Sequence, residues 1–353
     1  MFVQIQNQFN PSLNLVVQPG DRETHLALYQ LGFQKVAALP QLLYRAVSEF
    51  ELSALFVGLC QRVSEIGQAM SRYVLTRSPL DAQHLLHEFL KAQPLHQMTK
   101  LVKHAWFFQV LAKQQLFFNY QPIFDLDSRR VVAHECLARA RNAQGQQFNG
   151  QQLIDAALSM NLTREFDNLA RSICLTALAE WNQSDRPIFF INVLPNAIAH
   201  NPESLEQNFQ QILDLGLHPG QIVFELTEVE ALTHHPNLHK VIHQIRANGF
   251  GLALDDLGSN VALDHYCTEL RPDVIKLDRR IVHGCSRYEM KQVMVKSFVQ
   301  AAQELEITVL AEGLETLEDI EFCRSIGVNL GQGFGLGMPG QTPIGATPEK
   351  VVC

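Results

Sequence analysis

Long apolar runs and paired cysteines are both absent from this sequence of 353 residues. No stretch approaches about 18 uninterrupted apolar residues, and the N-terminus has neither a basic region nor an apolar core, so neither a membrane span nor a secretory signal is expected. The seven cysteines are scattered and form no Cys-x-x-Cys pair, so we expect no disulfides and no structural zinc. Together these absences predict a cytoplasmic protein.

A strong positive charge is also missing. The first 115 residues carry 10 Lys and Arg against 7 Asp and Glu, and the rest of the chain carries 18 against 29. The small basic excess of the first part is too weak to predict nucleic-acid binding. The acidic second part would need metal ions to bind an anionic substrate.

Apolar residues recur every three or four positions from about residue 23 to residue 113, with breaks at Pro40, Pro79 and Pro94. This periodicity predicts four or five helices, so we expect residues 1–114 to form a small, mostly α-helical domain. No residues there have catalytic spacing. A small-molecule ligand, a protein partner and dimerisation all remain open as its role.

From residue 116 onwards, strand and helix patterns alternate. Eight strands with intervening helices predict a TIM-like (β/α)₈ barrel over residues 115–340. The first two strands, 116–125 and 131–138, are joined by a linker too short for a crossover helix, so we expect them to form an antiparallel hairpin. The tail 341–353 is expected to be irregular.

The stretch from Gly249 to Asn260 alternates glycine with apolar residues and includes two adjacent carboxylates, Asp255 and Asp256. This pattern is typical of a buried strand that delivers acids to a pocket, where a cation or a shared proton offsets the cost of burial. Four other predicted strands also end in polar residues: Asn192, Glu225, Lys276 and Glu312. Five polar strand ends at one rim indicate a barrel active site, although helix capping is an alternative for one or two of them.

Eight short motifs in this region resemble those of the EAL family of cyclic di-GMP phosphodiesterases, in order and in spacing. They are Tyr120-Gln-Pro122, Glu135-Cys-Leu137 followed by Arg139, Ile191-Asn-Val193, Glu225-Leu-Thr-Glu228, Leu254-Asp-Asp256, Ile275-Lys-Leu-Asp278, Ala311-Glu-Gly-Leu-Glu-Thr316 and Gly331-Gln-Gly-Phe334. The resemblance covers about residues 116–340. It implies hydrolysis of cyclic di-GMP to linear pGpG by a homodimer, under the control of the N-terminal domain.

The resemblance also implies a role for each site residue. One divalent metal would be bound by Glu135, Asn192, Glu225 and Asp255, and a second by Asp255, Asp256 and Glu312. Lys276 would contact the attacking water, which Glu315 and Gln332 would help to order. Gln121, Glu135 and Arg139 would contact the substrate, and Glu228 would anchor the loop after the acid pair.

The proposed chemistry agrees with the residue types. Ligand sets made only of oxygen suit Mg²⁺ or Mn²⁺ rather than zinc. Two such ions per site can activate water and stabilise an in-line displacement at phosphorus. A compact ammonium such as that of Lys276 can steady the developing charge, and the Arg139 guanidinium can bind a phosphate through two hydrogen bonds.

The loop after the acid pair departs from the family pattern. The family usually has Phe-Gly-Thr-Gly-Tyr after the two aspartates, and this chain has Leu257-Gly-Ser-Asn-Val261. The lost aromatic side chains put rate and regulation in doubt, so a receptor that binds cyclic di-GMP or a protein partner without turnover is the alternative function. A sugar-phosphate enzyme is disfavoured because no Gly-rich phosphate loop occurs late in the barrel.

Three histidines, His235, His239 and His243, have the spacing of metal ligands on one helix face. An exposed polar helix face is the commoner explanation of such a pattern, and we favour it. Cys136, in the middle of the family's namesake tripeptide, is expected to face away from the metal.

Overall fold

The computed structural model describes residues 13–142, 144–181, 187–194, 197–198, 205–227, 237–257 and 263–344. The chain divides into two compact units, Met1–Phe108 and Gln109–Cys353. No helix in the described residues is long and apolar enough to cross a membrane.

The N-terminal unit is an α/β structure. Its sheet has the order β2-β3-β1-β4-β5. The strands are β1 (Leu13–Gln18), β2 (Gln34–Val36), β3 (Leu39–Val47), β4 (Arg72–Thr76) and β5 (Gln93–Pro94). The helices are α1 (Arg22–Gln30), α2 (Glu49–Arg62), α3 (Glu65–Met70), α4 (Ala82–Phe89) and α5 (Leu95–Lys103). Helix α6 (Ala105–Ala112) contains the boundary between the two units.

Helices are present as predicted, but the N-terminal unit also contains a five-stranded sheet, so it is α/β and not purely helical. Leu42 to Val47, for which the apolar pattern predicts a helix, belongs to strand β3. Leu42 and Leu43, which are adjacent in this strand, are buried in two different hydrophobic cores, one on each face of the sheet. A strand buried on both faces carries a continuous apolar run, and periodicity cannot distinguish such a run from a buried helix.

The second unit is a closed barrel, as the sequence predicts. Its strands are β6 (Leu116–Asp125), β7 (Val131–Arg141), β9 (Ile188–Val193), β10 (Ile222–Leu226), β11 (Gly251–Leu257), β12 (Val274–Leu277), β13 (Thr308–Ala311) and β14 (Leu330–Gly331). From β7 through β9 to β14, each of these barrel strands pairs in parallel with the following barrel strand. Strand β6 is antiparallel to both of its neighbours, β7 and β14. The predicted antiparallel hairpin at the start of the barrel is thus confirmed. Strand β8 (Gln147–Phe148) pairs only with the end of β7.

Helices follow most of the barrel strands. They are α7 (Gly150–Ser159), α8 (Thr163–Ala179), α9 (Glu206–Asp214), α10 (Asn237–Ala247), α11 (Leu263–Leu270), α12 (Arg279–Val282), α13 (Glu289–Glu304) and α14 (Leu317–Ser325). A buried layer of apolar side chains fills the barrel interior, and it includes Ile123, Phe190, Val223 and Leu310.

Asp319 ties helix α14 to the turn after α12. This side chain is 1% exposed, and it accepts hydrogen bonds from the backbone N–H groups of Gly284 and Ser286, both at 2.9 Å, and from the Ser286 hydroxyl at 2.7 Å. Burial raises the pKa of Asp319, but these hydrogen bonds outweigh burial and lower the pKa to about 2. The ionised carboxylate therefore stabilises the folded barrel.

We predict that Asp319→Asn lowers the free energy of unfolding at pH 7 by about 2 kcal/mol, because the new amide N–H₂ would face a backbone N–H. The folded pKa lies below the unfolded value, so the advantage of the wild type is complete above about pH 4 and declines as the pH falls toward 2. Urea unfolding between pH 7 and pH 3 measures this difference. Asp214→Asn, on the exposed end of α9, is the control, and a difference that does not change with pH would contradict the prediction.

Candidate active site

The site is a polar layer built directly on the apolar core of the barrel. Side chains two positions apart on a strand point to the same face, so each core residue has a polar residue above it at the rim. The pairs along the parallel strands are Ala133 and Glu135, Phe190 and Asn192, Val223 and Glu225, Ala253 and Asp255, Val274 and Lys276, Leu310 and Glu312, and Leu330 and Gln332. Strand β6 runs in the opposite direction, so its polar residue, Gln121, comes two positions before its core residue, Ile123, in the sequence.

Lys276 lies at the centre of this layer and is 1% exposed. Its Nζ is 2.5 Å from Glu225 Oε1 and 2.6 Å from Glu312 Oε1. It is also 3.3 Å from Asp255 Oδ1 and 3.5 Å from Glu135 Oε2. One ammonium group therefore faces four carboxyl groups, which come from four different strands or strand ends.

The buried charges shift each other's pKa values. Burial lowers the pKa of Lys276, but the four surrounding carboxylates outweigh burial and hold that pKa well above its usual range. Burial raises the pKa of Glu225 well above its ordinary value, and burial raises the pKa of Glu312 to about 8, in both cases against the opposing effect of Lys276. The site thus has more negative charge than one lysine can neutralise.

Glu135 connects the cluster to two amide side chains. Its Oε1 accepts a hydrogen bond from Asn192 Nδ2 at 3.2 Å, and its Oε2 accepts one from Gln332 Nε2 at 2.6 Å. Glu135 and Gln332 are both buried. The structure therefore brings together residues from β7, β9 and the segment after β14, as the strand-end pattern predicts.

Two cavities open beside Glu135. The larger, of about 440 Å³, is lined by Arg139, Asn192 and Asp255. The smaller, of about 290 Å³, is lined by Gln121, Glu312, Glu315 and Gln332. All these predicted site residues therefore border one continuous polar layer or its two cavities. Glu228 and the side chain of Asp256 lie outside the described residues.

The side chains of Arg279 and Phe334 also line the smaller cavity, although the sequence does not predict either as a site residue. Phe334 is 60% exposed, although it is a large apolar side chain. Both stand close to predicted site residues in the sequence, Arg279 three positions after Lys276 and Phe334 two positions after Gln332. That proximity could have identified both residues, and Phe334 also ends the motif Gly331-Gln-Gly-Phe334.

The donor set fits a hard divalent cation. Its atoms are carboxylate and amide oxygens, and among the described residues the buried Glu225 Oε2 and Asp255 Oδ1 accept no hydrogen bond, although Asp255 Oδ1 forms an ion pair with Lys276. No group of His, Cys, Asp and Glu side chains in the described part of the chain is already arranged as a metal cage. The four carboxyl groups contact Lys276, so a bound ion would have to replace part of their contact with the ammonium group.

Of the three histidines with metal-ligand spacing, His239 pairs with Glu269 at 3.0 Å, and His235 lies outside the described residues.

The model of the EAL domain family matches residues 104–339. The chain belongs to the EAL domain family. This assignment confirms the resemblance that the eight motifs indicate, and it covers the whole barrel.

Two curated relatives share the EAL region. The cyclic di-GMP phosphodiesterase PdeB of Shewanella oneidensis is 30% identical over 236 residues, which are 65% of this chain and 27% of the relative. The blue light- and temperature-regulated antirepressor BluF of Escherichia coli is 26% identical over 66% of this chain and 57% of its own. The chain thus matches from about a quarter to just over half of the length of these relatives.

The solved structure of the PaMucR phosphodiesterase in complex with c-di-GMP has the same barrel fold. It superposes with a TM-score of 0.60 at 24% sequence identity, and the match covers 66% of this chain and 94% of that one. At this identity the likeness supports the EAL fold but not a shared activity.

We predict that Lys276→Met, in the absence of divalent ions, lowers the thermal unfolding temperature by roughly 10 °C, because four carboxyl groups lose the buried ammonium that faces them. Added Mn²⁺ should raise the unfolding temperature of this variant by more than that of the wild type, since no ammonium competes for the same oxygens. Thermal unfolding with and without Mn²⁺ measures both effects.

Lys296→Met is the matched control for this experiment, because Lys296 is an exposed lysine on α13 that lies over the Phe322 ring. It should leave the response to Mn²⁺ unchanged. A larger Mn²⁺ response in the wild type than in Lys276→Met would contradict the placement of Lys276 at the cation site.

Proposed function

We propose that the EAL barrel hydrolyses cyclic di-GMP to linear pGpG, with two Mg²⁺ or Mn²⁺ ions per site. The observation that supports this most strongly is the buried layer in which Lys276 faces four carboxyl groups. One ammonium leaves much of that negative charge uncompensated, and a dianionic substrate adds more. Divalent ions held by oxygen ligands would offset both, and the similarity to PdeB, a named cyclic di-GMP phosphodiesterase, favours this substrate.

The metal ligands in this proposal are those of the sequence analysis. Glu135, Asn192, Glu225 and Asp255 would hold one ion, and Asp255, Asp256 and Glu312 the other. When bound, the ions would activate water and neutralise charge during in-line displacement at phosphorus. Hydrogen bonds from Asn192 and Gln332 already orient the Glu135 carboxylate, so this proposed ligand would have to move little to bind an ion.

The remaining residues would orient the substrate and the water. Arg139 lines the larger cavity half-buried, and its guanidinium can donate two hydrogen bonds to a phosphate. Gln121 lines the smaller cavity and can donate to the other half of the substrate. Lys276 Nζ would donate to the attacking water and to a phosphate oxygen. Water would form the new P–O bond as the P–O3′ bond breaks, with one of its protons passing to O3′ and the other remaining with the phosphate group.

A receptor without turnover is the second candidate function. BluF, a relative of similar identity, is named an antirepressor rather than a phosphodiesterase. The substituted loop that begins at Leu257 also favours this alternative, because it follows directly on the acid pair. The acidic, amide and lysine side chains that meet in the described polar layer favour the enzyme. We further propose that the barrel acts as a cytoplasmic homodimer and that the N-terminal unit regulates it.

Turnover of cyclic di-GMP by the purified protein tests this proposal. With Mn²⁺ or Mg²⁺ the wild type should release pGpG, and EDTA should abolish release. Glu135→Gln should lower the rate roughly 100-fold or more, because it removes a charged ligand. Glu321→Gln, on the exposed surface of α14, should leave the rate unchanged. Binding of cyclic di-GMP without pGpG at any metal concentration would favour the receptor.

A further inference from the structure

Arg279 makes the closest contact to Glu315 in the smaller cavity. It is the first residue of α12, three positions after Lys276. Its Nε and Nη2 both donate to Glu315 Oε1, at 3.1 Å and 2.8 Å. His283, just after α12, places its Nδ1 3.7 Å from Glu315 Oε2. Arg279 therefore holds Oε1 of this carboxylate, and His283 Nδ1 lies near Oε2 without a hydrogen bond.

The backbone at Gly313 makes room for the Arg279 side chain. Gly313 has a φ of +67°, and a Cβ there would lie 2.2 Å from Arg279 Cγ. The stem of Arg279 therefore passes through the space that any other residue would fill. The position requires glycine both for its conformation and for this contact.

The segment that Arg279 holds carries a central residue of the site. Glu312, three positions before Glu315, contacts Lys276 Nζ at 2.6 Å. Backbone hydrogen bonds fix the segment at two further points, from Glu312 N to Leu277 O and from Leu314 N to Gln332 O. The Arg279–Glu315 contact adds a side-chain attachment of the segment to the start of α12. Among the described residues that line the smaller cavity, Arg279 supplies the one cation beside three carboxylates.

We propose that Arg279 is a positioning residue that acts through Glu315 to hold the segment 312–315 in the geometry that binds a divalent cation. The expected effect of Arg279 on turnover rests on the proposed metal-dependent function. Its expected effect on the binding of a divalent cation does not. Arg279 and the Glu315 carboxylate form a two-bond contact that lysine cannot reproduce, so the shape of the guanidinium matters as well as its charge.

Mn²⁺ binding, measured by isothermal titration calorimetry on the full chain, tests the proposal directly. Arg279→Met should weaken Mn²⁺ binding about tenfold, the scale of a residue that orients a metal ligand. Arg279→Lys should fall between this variant and the wild type. Arg280→Met is the matched control, because Arg280 is its neighbour on α12 and pairs with Asp278 outside both cavities. It should bind Mn²⁺ like the wild type.

A double variant separates positioning from a general loss of structure. If Arg279 acts through Glu315, Arg279→Met combined with Glu315→Gln should bind Mn²⁺ no more weakly than Glu315→Gln alone. In turnover assays Arg279→Met should lower kcat about tenfold or more and change KM less than about threefold. Additive losses in the double variant would overturn the proposal.

The outcomes distinguish this inference from the proposed function. A wild type that binds Mn²⁺ but releases no pGpG would contradict the phosphodiesterase, and the positioning role would stand if Arg279→Met still weakens Mn²⁺ binding. An active wild type with an equally active Arg279→Met of equal Mn²⁺ affinity would overturn the positioning role alone. A wild type that binds no Mn²⁺ would overturn both.

Discussion

The contact between one buried ammonium and four carboxyl groups is the constraint on which the rest of the barrel depends. Lys276 can satisfy only part of the negative charge that surrounds it, and burial makes the remainder costly. Burial raises the pKa values of Glu225 and Glu312, although Lys276 opposes this effect. The same imbalance makes the site suited to divalent ions and to the phosphate groups that such ions attract.

The barrel makes this arrangement possible by stacking two layers. The apolar layer of the interior supplies stability, and the polar layer two residues further along each strand supplies chemistry. Because strand geometry fixes the alternation, the two layers cannot be shifted independently. The antiparallel strand β6 contributes Ile123 to the apolar layer and Gln121 to the polar layer. Both layers therefore continue across this strand although it runs in the opposite direction.

The sequence predicts most of this site because strand ends are visible in it. Asp255, Glu225 and Lys276 each close an apolar run, and the closed barrel follows from the alternation of strands and helices. The N-terminal sheet is not predicted, because a strand such as β3, buried on both faces, resembles a helix in its apolar content. Arg279 is not predicted either, because its role depends on a contact with Glu315, 36 residues away, and on the missing side chain of Gly313.

Anomalous diffraction from wild-type crystals grown with Mn²⁺ and soaked briefly with cyclic di-GMP tests the central claim most directly. The account predicts two manganese peaks beside Asp255, one toward Glu225 and one toward Glu312, with Lys276 Nζ displaced toward the bound phosphate. No manganese peak within ligand distance of these carboxylates, with cyclic di-GMP bound and Lys276 still among them, would contradict it.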